Sequence, residues 1–388
     1  MQKEDLRKSF EEVYGEAKDL QFYFSPGRIN VIGEHIDYNG GLVFPCAITL
    51  GTYAAISLRN DNIVRVYSGN IQKDGVIEIK LDEDLTRSGV WADYVKGVIT
   101  ELKKDGFKLD KGFDAYIIGT IPNGASLSSS ASLELLFGEI FRELHNLDLT
   151  DLDLVKIGKR TENIFMGLHS GIMDQFAVGM SKKDHAVLLD CSTLEYSYAP
   201  LVLGDNAILI MNTCKRRELV TSKYNERCAE CAEALDLINK NYKEVKFLCE
   251  LEVSELPQIE AIIPNETIYR RVRHVITEMD RVKKTFKALE DNDIALVGKY
   301  LDASHKSLKE DYEVTGKELD TIVALAQAQP GVLGARMTGA GFGGCAVSIV
   351  KEDAVAAFIE NVGKAYQEQI GYAADFYVVE VGDGPVVL

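Results

Sequence analysis

The sequence predicts an α+β protein built as two domains. Three observations lead to that class. The chain has 388 residues, more than one hydrophobic core fills, because single cores stop growing near ~250–300 residues. Strand-like and helix-like segments intermix without the strict βαβ alternation of a doubly wound sheet. Near residues 195–205 the pattern turns more helical, which places a boundary between a domain of 1–200 and one of 201–388.

The elements follow in order. Leu6, Phe10, Val13 and Ala17 fall at helical spacing in a charged opening segment, which argues for a helix and against a secretory signal. Strands are expected at 22–32, 41–58, 63–68 and 75–81, then a helix from Trp91 to Leu102. The most apolar window, Leu42 to Leu58, is interrupted by Pro45, Gly51 and hydroxyl residues, so it reads as a pair of strands and not as a membrane span. A strand at 113–120 runs into the loop Pro122–Ala131, which opens a helix. A second helix covers 151–167, and strands follow at 185–190 and 194–199. Beyond 205 come helices at 218–240, 266–289, 293–307 and 317–328, punctuated by strands at 206–213, 332–338, 344–350 and 375–381. No internal repeat or low-complexity tract interrupts them.

Charge excludes some functions. A net charge of −17 argues against binding nucleic acid or an anionic membrane, and any anionic substrate must be held by local donors. The odd count of seven cysteines suits a reducing compartment. Cys228 and Cys231 lie in a helical, charged stretch with no second pair and read as ordinary thiols. The protein is expected in the cytosol, as a monomer.

The densest chemistry lies in Gly27–Gly41, GRINVIGEHIDYNGG. Fifteen residues hold an arginine, a histidine, two carboxylates, two asparagines and a tyrosine beside four glycines. A turn needs fewer such side chains, whereas a pocket for a polyhydroxylated ligand needs this inventory. Glu34 and Asp37 accept from hydroxyls and Arg28 supplies a fork of donors. A polar loop capping its own backbone is the bland alternative. Glu34-His35-x-Asp37 could also suggest a metal site, but no second histidine stands at ligand spacing, which ranks that below sugar binding.

Pro122–Ala131, PNGASLSSSA, sits between a strand and a helix. Ser128, Ser129 and Ser130 fall at the helix start, where free N–H groups and the dipole make an anion site. One serine would suffice for a helix cap. No GxxxxGK[ST] motif exists, since Gly158-Lys159 is followed by Arg160. Gly339, Gly341 and Gly344 satisfy GxGxxG but precede a strand, which defeats the dinucleotide reading. The cluster MTGAGFGG either lets backbone approach a ligand or a neighbouring loop closely or makes a sharp turn, with equal weight. In GLHSGIMDQ, Asp174 reads as a solvated cap or a partly desolvated carboxylate. Glu162 could face the serine loop and, as a hard oxygen ligand, suit Mg²⁺.

In that order, GRINVIGEHIDYNGG, PNGASLSSSA and RMTGAGFGG resemble the three motifs of the GHMP small-molecule kinases. The first is similar to the galactokinase signature, GR-x-N-x-IGEH-x-DY, at every fixed position from Gly27 to Tyr38. The likeness extends through WADYVKGV (91–98), GIMDQF (171–176) and Tyr224 in TSKYNER, covering nearly the whole chain. It implies ATP-dependent phosphorylation of α-D-galactose at its anomeric hydroxyl, the first committed step of galactose catabolism. It also implies a two-domain fold with the active site in the cleft between domains.

By matching positions, Asp174 resembles the aspartate beside the reacting hydroxyl and Arg28 its arginine partner. Glu34, His35, Asp37, the backbone of Gly171, and Tyr224 look like sugar contacts. Gly124, Ala125, Ser126, Leu127, Ser128, Ser129, Ser130 and Ala131 form the likeness to the ATP loop, with Trp91 and Tyr94 resembling part of the adenine pocket. Ser130 and Glu162 look like Mg²⁺ ligands. Ser126 stands where the family usually has glycine, and a serine there argues against a positive φ; Ala340 is a smaller departure of the same kind. An arginine beside Asp174 would favour its charged form, so Asp174 is expected to orient the hydroxyl and accept its proton late. The rivals are a kinase for N-acetylgalactosamine or another sugar, and a non-catalytic sensor of galactose and ATP.

Overall fold

The computed structural model describes residues 1–122, 125–168, 170–215 and 220–388, with backbone alone for 220 and 221. The first half runs α1 (Lys3–Tyr14), β1 (Gln21–Asn30), β2 (Leu42–Val43), β3 (Pro45–Leu58), β4 (Ile63–Ser68), β5 (Ile77–Lys80), α2 (Asp93–Lys104) and β6 (Phe113–Gly119). It continues through α3 (Ser129–His145), α4 (Asp151–Arg160), α5 (Met173–Met180), β7 (His185–Asp190) and β8 (Tyr196–Pro200). After β9 (Asn206–Asn212) come α6 (Val220–Asn241), α7 (Leu256–Ile262), α8 (Glu266–Glu290), α9 (Ile294–Glu310) and α10 (Gly316–Gln327). The chain finishes with β10 (Val332–Thr338), β11 (Cys345–Lys351), α11 (Val355–Ile370), β12 (Asp375–Val379) and β13 (Val386–Val387).

Among the described residues the strands form three sheets. A six-stranded sheet has the order β13-β1-β3-β6-β4-β5, antiparallel except where β4 runs parallel to β6. A four-stranded antiparallel sheet, β10-β11-β9-β12, draws only on residues beyond 205, and β2-β7-β8 make a small third sheet. Leu6 and Phe10 of α1 cover one face of the large sheet against Phe22, Ala55 and Tyr116. Helices α3 and α5 pack against β1 and β3, and Ser132 Oγ, 2.8 Å from both Ser25 O and Thr52 Oγ1, ties the start of α3 to them. Helices α9 and α10 lie against β10, and α11 packs on α10.

Several expectations shift. The window Leu42–Leu58 holds a pair of strands, β2 and β3, parted at Phe44; Gly51 does not break β3, because β1 accommodates it: its register against β3 slips between Pro26 and Gly27. At that slip Thr49 N instead donates to Glu380 O, and Ile48 bridges Val381, so the returning carboxyl-terminal segment takes up the unpaired groups. The helix expected over 151–167 ends at Arg160 and widens into a π-turn, Thr161–Phe165, which carries Glu162. Asp174 lies in the first turn of α5, and α11 occupies a stretch that the sequence reading left unassigned.

Candidate active site

Arg28 lies near the end of β1 and is 4% exposed. Its Nε and Nη2 donate to Oδ1 of Asp174 at 3.0 and 2.7 Å, and Nη1 donates to Ser126 O at 2.7 Å. A buried guanidinium is tolerated only when its donors are met, and here a carboxylate and a loop carbonyl meet them. One arginine therefore joins the first motif, the serine loop and α5. Asp174 Oδ2 accepts from Ser128 Oγ at 2.6 Å.

The serine loop departs from a simple helix cap. Ser128 occupies the cap position of α3 but its side chain makes no cap hydrogen bond, and its φ is +61°. Ser126 also has a positive φ, +59°, contrary to the expectation drawn from a serine at that position. The Arg28 bond to its carbonyl and the packing of Gly339 against its side chain hold it there. Gly124 lies outside the described residues. Ala125 and Leu127 are buried and line a cavity with Ser126, Ser128, Ser129 and Ser130, whereas Ala131 packs into the core beneath it. Ser130 Oγ donates to Glu162 Oε1 at 2.7 Å, so the expected approach of Glu162 to this loop is present.

Glu34 is 2% exposed, and its Oε1 takes an ion pair with Arg336 Nη2 at 2.7 Å and hydrogen bonds from Gly339 N at 2.8 Å and Thr338 Oγ1 at 3.1 Å. Burial lowers the pKa of His35 to about 4, so its ring is neutral near neutral pH. Its Nε2 lies 3.1 Å from Ala340 O, which can only accept, so Nε2 carries the proton and Nδ1 accepts from Tyr38 Oη at 3.1 Å. The order then propagates: Tyr312 donates to Tyr38 at 2.7 Å, and the Cys231 thiol donates to Tyr312 at 3.1 Å. Both nitrogens of His35 are therefore committed within the protein. Tyr224 packs beside it, with ring centroids 5.7 Å apart and the planes tilted by 40°.

Burial, reinforced by Glu34, raises the pKa of Asp37 to about 6. Gly171 abuts this carboxylate so closely that a Cβ there would overlap Oδ2. The glycine cluster resolves toward close approach: Gly339 N reaches Glu34 while its Cα faces Ser126, and Ala340 serves His35.

These groups line three adjoining cavities. One of about 380 Å³ is bordered by Glu34, His35, Asp37, Gly171, Tyr224, Arg28 and Asp174, among others. A second, of about 280 Å³, lies along the serine loop and shares Arg28, Asp174 and Ala340 with the first. A third, of about 190 Å³, is bordered by Trp91 and Tyr94 and shares Ser129 and Ser130 with the second.

Sequence reasoning missed three supporting residues. Arg336 is fully buried and also donates to Asn30 O and Val31 O, at 3.0 and 2.7 Å; an arginine inside the apolar run GVLGARMT was its signal. Ser170 donates to the other Glu162 oxygen at 2.6 Å, and Lys159 Nζ donates to Ser170 O. Nothing local marks the last two, since each is identified only by what it touches.

The fold and site define a small-molecule kinase of the GHMP class: the GHMP kinases N terminal domain matches residues 93–182, and GHMP kinases C terminal matches 285–368. The galactokinase galactose-binding signature matches residues 8–58. The chain belongs to the galactokinase family. It is 52% identical to galactokinase of Lactiplantibacillus plantarum over 99% of both chains, and 54% identical to that of Enterococcus faecalis over 98% of both. The crystal structure of Lactococcus lactis galactokinase complexed with galactose superposes with a TM-score of 0.93, at 49% identity over 99% of both chains. Mevalonate kinase of Methanococcus jannaschii shares the fold, with a TM-score of 0.69 at 17% identity over 95% of this chain and 100% of that one.

Proposed function

We propose that the three cavities hold, in order, galactose, the transferring phosphoryl group and the nucleoside of ATP. The chain phosphorylates α-D-galactose at its anomeric C1 hydroxyl, giving galactose 1-phosphate and ADP, the activity of the family to which it belongs. The observation that carries the assignment is that Arg28 and Asp174 border both the first cavity and the second. An acceptor hydroxyl in one and a phosphoryl group in the other would meet at this pair.

The roles follow from the contacts. Arg28 saturates Oδ1 of Asp174, which leaves Oδ2 to orient the sugar hydroxyl and take its proton late in the transfer. Arg28 also steadies charge developing on the phosphoryl oxygens. Asp37, Glu34, Tyr224 and the Gly171 backbone hold the sugar, and His35 presents its ring while its nitrogens fix Ala340 and Tyr38. Trp91 and Tyr94 take the adenine.

The donor set at Ser130 and Glu162 fits Mg²⁺: one hydroxyl and one buried carboxylate, 2.7 Å apart, beside the phosphate cavity. Mg²⁺ favours such sparse hard-oxygen protein ligation, completed by phosphates and water. Bound there, it would neutralise phosphate charge, with Ser170 bracing Glu162 from the far side.

We further infer a boundary near residue 200 between two domains, supported by the separate origins of the two larger sheets. A monomer suffices, because one chain borders all three cavities. Among the described residues none of the seven cysteines is in a disulfide, which supports a cytosolic setting, and no helix is long and apolar enough to cross a membrane. The test is to identify the product. Incubation with ATP, Mg²⁺ and galactose should yield a phosphate on C1 by phosphorus and proton NMR. Phosphate at another hydroxyl, or preference for N-acetylgalactosamine across a sugar panel, would overturn the assignment.

A further inference from the structure

Ser128 does something at Asp174 that the transfer reaction does not require. It holds the cap position of α3 yet its side chain does not cap the helix, and its φ is +61°, a conformation unfavourable for serine. Its hydroxyl turns instead to Asp174 Oδ2, at 2.6 Å. Oδ1 of the same carboxylate is already occupied by two donors from Arg28. Oδ2 is thus the oxygen an acceptor alcohol must reach, and an alcohol of the protein's own is donating to it. Ser128 is 6% exposed and borders the phosphate cavity together with Arg28 and Asp174.

We propose that the Ser128 hydroxyl is a placeholder for the sugar hydroxyl, occupying Asp174 Oδ2 whenever galactose does not and so protecting ATP from hydrolysis. A kinase whose acceptor is an alcohol faces competition from water, which offers the same O–H to the same carboxylate. In that side reaction the water oxygen bonds to the γ-phosphorus as the bond to the ADP oxygen breaks, and the water proton leaves by way of Asp174 to the released phosphate. Ser128 occupies the position where this water would be oriented. Its own oxygen is tethered to the loop backbone and cannot follow an in-line path as a free acceptor does. Galactose displaces it by rotation about a single side-chain bond, and the freed hydroxyl then points to the phosphate cavity. This rests on the reading of that cavity as the phosphoryl-transfer site.

The test measures phosphate release from ATP and Mg²⁺ without sugar, alongside galactose 1-phosphate formation, in the wild type, Ser128→Ala and Ser128→Gly. The alanine removes the hydroxyl and keeps the strained backbone, whereas the glycine removes both the hydroxyl and the strain. Sugar-independent hydrolysis should rise roughly tenfold in both variants, the preference expected for one charge-assisted hydrogen bond. Saturating galactose should suppress the excess, and adding Asp174→Asn should abolish it. A merely structural role would change neither the ratio of hydrolysis to transfer nor its response to galactose. Hydrolysis no faster than wild type in both variants overturns the proposal, whatever happens to transfer; a rise in the glycine variant alone assigns the effect to release of backbone strain and also overturns it. A wild-type enzyme that fails to phosphorylate galactose would instead overturn the underlying reading of the cavity.

Discussion

Arg28 and Asp174, 146 positions apart, meet through two hydrogen bonds of 3.0 and 2.7 Å that converge on a single carboxylate oxygen. The pairing divides the carboxylate, one oxygen taken by the guanidinium and the other accepting from the Ser128 hydroxyl.

Replacing Asp174 by Asn keeps the shape and removes the proton acceptor. Turnover should fall on the order of 10²–10⁴-fold, the usual worth of a positioned general base. Galactose affinity by calorimetry should largely survive. Near-normal turnover would remove Asp174 from the reaction. Arg28→Lys keeps the charge but loses the fork, so it should also lower turnover with little change in sugar affinity.

Gly171→Ala tests the sugar side. The added methyl overlaps Asp37 Oδ2 and must push the carboxylate or the loop aside. Steady-state kinetics should show KM for galactose raised by roughly tenfold or more, with KM for ATP and kcat much less affected, because the contact lies away from the phosphate cavity. An unchanged KM would show that Asp37 does not hold the sugar from this position.

Arg336→Met leaves Glu34 buried without its cation. Removing one partner of a buried ion pair costs about 3–5 kcal/mol, which denaturant unfolding would register. Adding Glu34→Gln should recover part of the loss, since no charge then remains stranded. Equal stability of the single variant and the wild type would mean that Thr338 and Gly339 alone satisfy Glu34.

Buried groups of opposite sense make the fold respond to acid. Burial lowers His35, His274 and His305 to about 4 from an ordinary value of 6.5. Between those values the unfolded chain binds more protons, so the stability contributed by these neutral rings falls as pH drops through that window. Asp37 opposes them: raised to about 6 from 3.8, it binds its proton earlier in the folded state and favours folding as pH falls. Glu134, Glu139 and Asp302, raised by burial, act with Asp37, while His145, lowered by burial, acts with the other histidines, so the two sets largely offset one another. Galactose affinity should weaken below about pH 6, as Asp37 gains its proton and ceases to accept from the sugar.

Much of the site was legible in the sequence because it is concentrated in short runs. A stretch such as GRINVIGEHIDYNGG spends more polar chemistry than a turn requires, and PNGASLSSSA places hydroxyls where a helix start leaves donors free. The helices with strong periodicity, such as α8 and α9, were equally legible. In the stretch from Leu42 to Leu58 the break at Pro45 was legible, since β3 begins there after β2, but Gly51 misled: it lies inside β3, where the Ser25 backbone crowds in. Ser126 misled in the other direction: its positive φ is set by Arg28 and Gly339, neither of which is a neighbour in sequence.

By itself the sequence determined the elements, the three motifs and the class of ligand they suit, because residue type, spacing and local propensity act over a few positions. Tertiary structure alone decided what each group does. It paired Glu34 with Arg336 and set His35 in a proton-ordered chain ending at Cys231. It also turned Ser128 away from its helix and onto Asp174. Those outcomes depend on distances between segments far apart in the chain and on burial, which makes an unpaired charge or donor too costly to leave and so forces each polar group to find its partner.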